Sequence, residues 1–228
     1  SSFTHWMKTF IASSLSLSEI NAVFKISTAG YRLKSLTLTL NAAVLIMLCA
    51  AVTADAEEYR LDPDHSRIGF SVGHLGIANV KGRFTNYTGR ITLENNKPES
   101  LTAEVTIQAE SINTGNRSRD RHVTGKHFFN AEKHPEITFK ADKTQKEDNI
   151  LYLEGIFTMR GKSKTLRLPV TLKGPVKGPA DKRRIGISAK ADVNRQNYGV
   201  GSDRIRDNLV SDTVTLEIDL EAIAVEKK

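Results

Sequence analysis

The chain has 228 residues, 33 Lys and Arg against 26 Asp and Glu, 39% hydrophobic and 7% aromatic residues, and one Cys. This composition suits one or two ordinary globular domains and excludes a disordered, collagen-like or disulfide-stapled chain. A polytopic membrane protein is excluded as well. Only residues 36–52 stay apolar over anything near the roughly 20 residues of a bilayer span.

Residues 1–34 comprise an upstream segment without charge run, repeat or motif, ending in basic Arg32 and Lys34. Residues 35–56 hold the apolar run and then Ala54-Asp55-Ala56. That order of parts is expected of a secretory signal peptide, cut after Ala56. An uncleaved anchor is the alternative, but Thr37, Thr39 and Asn41 interrupt an already short run. Bulky Met47 and Leu48 before Cys49 speak against a lipoprotein. Residues 57–228 are then the exported domain, with 29 basic against 24 acidic residues. It retains no Cys, so a hydrophobic core must hold it together.

From Glu57 onward apolar and polar residues alternate with period two, the pattern of strands buried on one face. Leu101, Ala103, Val105, Ile107 and Ala109 fall on one face, and Thr102, Glu104, Thr106 and Gln108 on the other. The same signal marks residues 67–72, 89–93, 137–141, 150–159, 166–172, 185–193 and 214–225. That makes about eight antiparallel strands. Turns are expected at Asn95-Asn96-Lys97-Pro98, Gly161-Lys162 and Gly174-Pro175. Eight such strands close into a barrel or stack as a sandwich, and periodicity does not choose between them. Alternation stops over Gly73–Phe84 and Gly115–Pro135. In the second stretch Asn116 to Val123 forms a short helix by this reading, with Thr114 or Asn116 as N-cap.

Catalytic motifs are lacking. Asp64-His65-Ser66 is contiguous, so on a strand neighbouring side chains point to opposite faces. There is no G-x-S-x-G elbow or phosphate-cradling Gly-rich loop. His65, His74, His122, His127 and His134 crowd one third of the domain, but none has the i, i+4 spacing of a helical metal pair, and no metal site is read from them. The basic clusters Lys162-Ser-Lys164 and Lys182-Arg183-Arg184 have no interleaved aromatic to stack on bases, which argues against nucleic acid. A solvated face or weak attraction to anionic membrane surfaces suits them better.

Asp64-His65-Ser66 with Ile68, Phe70, Val72 and His74 is followed by Val80-Lys-Gly-Arg-Phe84 and Ser111-Ile-Asn-Thr-Gly-Asn116. The series continues through Arg119-Asp120 with His122, Phe128-Phe129-Asn130, His134-Pro135-Glu136-Ile137-Thr138-Phe139, Gly161-Lys162-Ser-Lys164, Arg195 with Tyr198-Gly199, and the closing strand. Together these residues resemble the YceI-like family of exported bacterial proteins. Arg117, Ser118 and Val123 depart from the usual family pattern in the polar loop.

The resemblance implies an all-β, antiparallel, lipocalin-like eight-stranded barrel with a short helix in its long loop. It also implies a non-enzymatic periplasmic protein that binds or carries a polyisoprenoid or similar amphiphilic lipid, with no cofactor beyond such a polyisoprenoid or quinone-like lipid. Phe70, Phe84, Ile107, Phe139, Phe157 and Ile187 are the candidate lipid-binding lining, with Ala103, Ala109, Ala141, Ala189 and Ala191 leaving room. A closed core of the same residues is the alternative. Arg119, Asp120 and His122 are the candidate head-group or loop residues, since a guanidinium pairs bidentately with phosphate. Loop-ordering hydrogen bonds are the competing role for Arg119 and Asp120. The partners carried forward are the lipid, a transient membrane surface, a cytochrome b561-like electron-transfer protein and a second copy of the chain in a homodimer. A ligand-free stress-response module is the remaining alternative.

Overall fold

A computed structural model describes residues 56–201 and 209–226. The expected signal peptide and the segment before it lie outside the described residues. The described chain is antiparallel β-structure with one α-helix. Its strands are β1 (Ala56–Leu61), β2 (Arg67–His74), β3 (Ala78–Phe84), β4 (Tyr87–Glu94), β5 (Thr102–Gln108), β6 (Ile112–Asn113), β7 (Glu136–Glu147), β8 (Ile150–Met159), β9 (Lys162–Lys177), β10 (Arg183–Asn194) and β11 (Val210–Ala224). Helix α1 spans Arg117–Thr124.

Eight strands form a closed ring in the order β1-β4-β5-β7-β8-β9-β10-β11, shut by pairing of β1 with β11. Long β11 serves two partners. Residues 222–224 pair with β1, and residues 210–219 pair with β2. From β2 the sheet continues to β3 and β6, adding wall beside the ring. Closure removes the exposed edges that an open sheet would present.

Membership of the ring differs from the expected eight strands. Residues 67–72 form β2 in the added wall, and β1 takes the remaining place in the ring. β1 escapes notice because only Tyr59 and Leu61 carry its apolar alternation. β3 lies where the alternation stops. Its central inward position is Gly82, since a Cβ there would sit 2.3 Å from the ring of Phe70. The space that Phe70 fills is the space that erases the strand signal. Gly174-Pro175 is likewise not a terminal turn. It is a cis peptide inside β9, beside a register shift opposite Arg184 and Gly186, the kind of irregularity where strand proline is tolerated.

The helix forms where its cap is written. Asn116 accepts hydrogen bonds from the amides of Ser118 and Arg119 at 3.0 and 3.1 Å, satisfying donors that a first turn leaves unpaired.

Strand registers sort the connections into two ends. The turns after β7, β9 and β4 share one end with the start of β1. The β2–β3 turn, the β5–β7 connection with α1, the β8–β9 turn and the β10–β11 connection share the other. At the first end Tyr59, Leu93 and Leu101, each at most 1% exposed, pack without bordering the cavity.

Candidate functional site

The second end holds a cavity of about 460 Å³, within the usual range for small-ligand sites. β2 contributes Ile68, Phe70 and Val72, and β11 contributes Val214, Leu216, Ile218 and Leu220, every second residue on each strand. All six residues of the candidate lining, Phe70, Phe84, Ile107, Phe139, Phe157 and Ile187, border this space. Five of them are at most 9% exposed, and Phe70 is half-buried. They surround a void rather than filling it. Of the small residues, Ala103 and Ala189 reach the cavity, whereas Ala109, Ala141 and Ala191 pack in the surrounding core.

Polar side chains on the wall gather toward the loop end: His74, Thr114, Arg119, His122 and Arg195. Arg119 and Thr114 are held together. Nε of Arg119 donates to Thr114 Oγ1 at 2.8 Å, and Nη2 donates to the Thr114 carbonyl at 2.9 Å. Asp120 accepts from the Thr114 amide and hydroxyl at 2.9 and 2.6 Å and does not border the cavity. Asp120 is thus placed as a loop-ordering group. Arg119 orders the loop through Nε and Nη2 and also borders the cavity. His122 meets Phe128 edge to face, with ring centroids 5.1 Å apart.

Sequence reading missed the aromatic plug beneath α1 and the buried arginine beside it. Phe129 packs edge-on against Phe84 at 6.0 Å, and Phe84 against Phe70 at 5.9 Å. The signal was an aromatic pair, Phe128-Phe129, inside an otherwise polar loop. Arg195 is 4% exposed. It donates to the carbonyls of Val200, Gly201, Val210 and Ser211 and to the Asp212 carboxylate, at 2.8–3.1 Å. Each guanidinium nitrogen is engaged, and the chain on both sides of residues 202–208 is pinned to one side chain. Gly201 has φ +69, and a Cβ there would lie 2.5 Å from Arg195 Nη1. Only glycine leaves room for the clamp.

The contiguous Asp64-His65-Ser66 is structural. The Ser66 hydroxyl donates to the Glu221 carbonyl and accepts from its amide, tying the β1–β2 connection to β11. The His65 ring meets Asp62 at 2.9 Å instead. That contact raises the His65 pKa and, as the largest cause, lowers that of Asp62, whose other partner Arg184 lowers it further. Asp62, His65 and Glu221 are near enough to share a metal ion, but the guanidinium of Arg184 already bonds both carboxylates.

A closed antiparallel barrel with an apolar interior and polar groups at one mouth defines the lipocalin-like class of ligand-holding barrels. The YceI-like domain matches residues 59–222, and the chain belongs to the YceI-like family. A UPF0312 protein of Pectobacterium carotovorum is 30% identical over 173 residues, covering 75% of this chain and 89% of that protein. The solved YceI protein of Campylobacter jejuni is 35% identical, with TM-score 0.59, covering 68% of this chain and 90% of that one. A polyisoprenoid binding domain from Saccharophagus degradans shares the fold at 18% identity and TM-score 0.56, covering 73% and 98%.

Proposed function

We propose that this protein is a binder, not an enzyme, and that it holds the tail of a polyisoprenoid or similar amphiphilic lipid in its cavity after export to the periplasm. The observation that carries the reading is the aliphatic and aromatic wall around about 460 Å³ of space, with its polar groups confined to one end. Isoprene units offer only hydrocarbon surface, and each buried CH₂ contributes ~0.8 kcal/mol. Such a ligand needs a long apolar wall and few anchors. The fold shared with a polyisoprenoid binding domain supports the same reading. Arg119 and His122, both on the cavity wall, are the groups a polar head would meet.

The test is native mass spectrometry of the protein purified from the periplasm of cells expressing the full chain, followed by organic extraction. A stoichiometric prenyl lipid is expected, and the extract separates a prenyl alcohol or phosphate from a redox-active prenylated quinone. Ala189→Phe, which fills part of the cavity, should release most of it while the protein stays folded. A ligand-free mass that does not change on incubation with polyprenyl lipid would defeat the reading.

A further inference from the structure

Two features set the mouth apart from the rest of the surface. The first is an apolar tip. Leu75, Ile77 and Leu209 are 53%, 85% and 44% exposed. The Leu75 amide donates to the Leu209 carbonyl at 2.8 Å, so they form one patch. The patch continues the cavity wall, because Leu209 itself lines the cavity, as do His74 and Val80 on either side of the turn. Leu75 and Gly76 have φ of 55° and 70°, and the Ile77 amide donates to the His74 carbonyl, as in a type I′ hairpin turn. That turn favours Asn-Gly. Leucine stands where folding alone would select asparagine.

The second feature is charge. Over residues 109–136, 159–164, 195–201 and 209–212, nine cationic residues face five acidic ones. Arg117, Arg121, Lys126, Lys162 and Lys164 have no carboxylate within ion-pair distance among the described residues. Asp120 and Asp212, by contrast, are bonded to Thr114 and Arg195.

From this pairing we infer that the mouth docks on an anionic phospholipid bilayer. Leu75, Ile77 and Leu209 enter the boundary between headgroups and acyl chains, and the unpaired cations face lipid phosphates. Apolar insertion with a basic surround is how peripheral proteins hold anionic membranes. The arrangement also gives a lipid an apolar path from bilayer to cavity. A second copy of the chain fits less well, since a two-fold contact brings the same patch to itself and opposes the two cationic rims. The inference rests on the lipid-binding reading of the cavity and adds its docking surface.

The experiment is co-sedimentation with vesicles of phosphatidylglycerol and phosphatidylcholine in equal parts, or of phosphatidylcholine alone, with all variants in the same processed form. Wild type should prefer the anionic vesicles, and added salt should weaken its binding. Leu75→Asn with Ile77→Ser should lower partitioning at least tenfold without lowering Tm. Val176→Ser, an apolar residue 60% exposed at the opposite end, should leave partitioning unchanged. Equal effects of the tip and Val176 changes, or no binding by wild type, would overturn the proposal. So would a tip variant that turns a dimer into a monomer while keeping vesicle binding, which gives the patch to a second copy. Extracted lipid is measured alongside. Protein that carries lipid but ignores vesicles defeats only the docking surface, and protein that docks but never carries lipid defeats only the cavity reading.

Discussion

Hairpins at the two ends of the barrel each place two consecutive residues in the left-handed region, with different side chains. Between β7 and β8, Asp148 and Asn149 take φ of 47° and 65°, the residue types that tolerate the left-handed region. Between β2 and β3 the equivalent pair is Leu75-Gly76. The packed end also pairs its charges, Arg183 with Glu57, Lys182 with Glu226, and Arg184 with Asp62 and Glu221. The mouth leaves Arg117, Arg121, Lys126, Lys162 and Lys164 without a carboxylate partner among the described residues and gathers its loops on one buried guanidinium. At the β7–β8 turn the local choice agrees with the fold, and at the β2–β3 turn it departs from it, as sequences do where a site overrides folding preference.

That contrast can be broken by substitution. The largest effect belongs to Arg195→Ala, which strands several carbonyls at once; a loss of about 3–5 kcal/mol is expected in urea unfolding, as for other broken buried charge networks. A loss under about 1 kcal/mol would mean that the clamp is incidental. Next, Leu93→Ala at the packed end should cost about 2–5 kcal/mol, the usual range for a filled core. Leu216→Ala on the cavity wall should cost less than half as much, because its neighbours already face a void. Equal losses would erase the distinction between the ends.

The turns sharpen it further. Leu75→Asn should stabilise the protein by about 1 kcal/mol, and Asn149→Leu should destabilise it by about the same, since the left-handed conformation costs most L-residues roughly 1–2 kcal/mol. Thermal unfolding of the two variants reads both signs. The smallest effect is the pH dependence of the Asp62–His65 pair. The His65 pKa is raised above 6.5, so its contribution is full below that value and is lost as pH rises through the higher folded pKa. The Asp62 pKa is lowered below 3.8, so its contribution is present above that value and is lost as pH falls through the lower folded pKa. The His65 side chain is 62% exposed, so the Tm difference between wild type and His65→Gln should be small, clearest near pH 5–6 and gone in alkaline buffer.

Much of this was legible in the sequence, for reasons that are themselves physical. Period-two runs marked the strands whose inner positions carry large side chains, and the cap at Asn116 announced the helix. Alternation put Phe70, Ile107, Phe139, Phe157 and Ile187 on inward faces, and only the family resemblance turned those faces and Phe84 toward a cavity. Two of the failures share a cause. At Gly82 and Gly201 a glycine serves a side chain elsewhere, Phe70 or Arg195, and no local pattern names the partner. Whether Phe139 or Ile187 faced a void or a neighbour depended on how far apart the walls stand, which curvature decides and periodicity does not. Asp120 was assigned jointly with Arg119 because adjacent charges look alike in sequence, whereas only Arg119 reaches the wall.

β11 shapes how the molecule forms as well as its final architecture. It closes the ring against β1 at residues 222–224 and supports the β2–β3 wall with residues 210–219. Both partners lie more than a hundred residues earlier in the chain, so neither contact exists until nearly the whole polypeptide is available. Contacts of such long sequence separation slow folding, because loop-closure entropy must be overcome before they form. A chain emerging from its N-terminus therefore stays open until its last strand arrives. The barrel closes in a late step, with the edges of β1, β2 and β10 that face β11 unpaired until then.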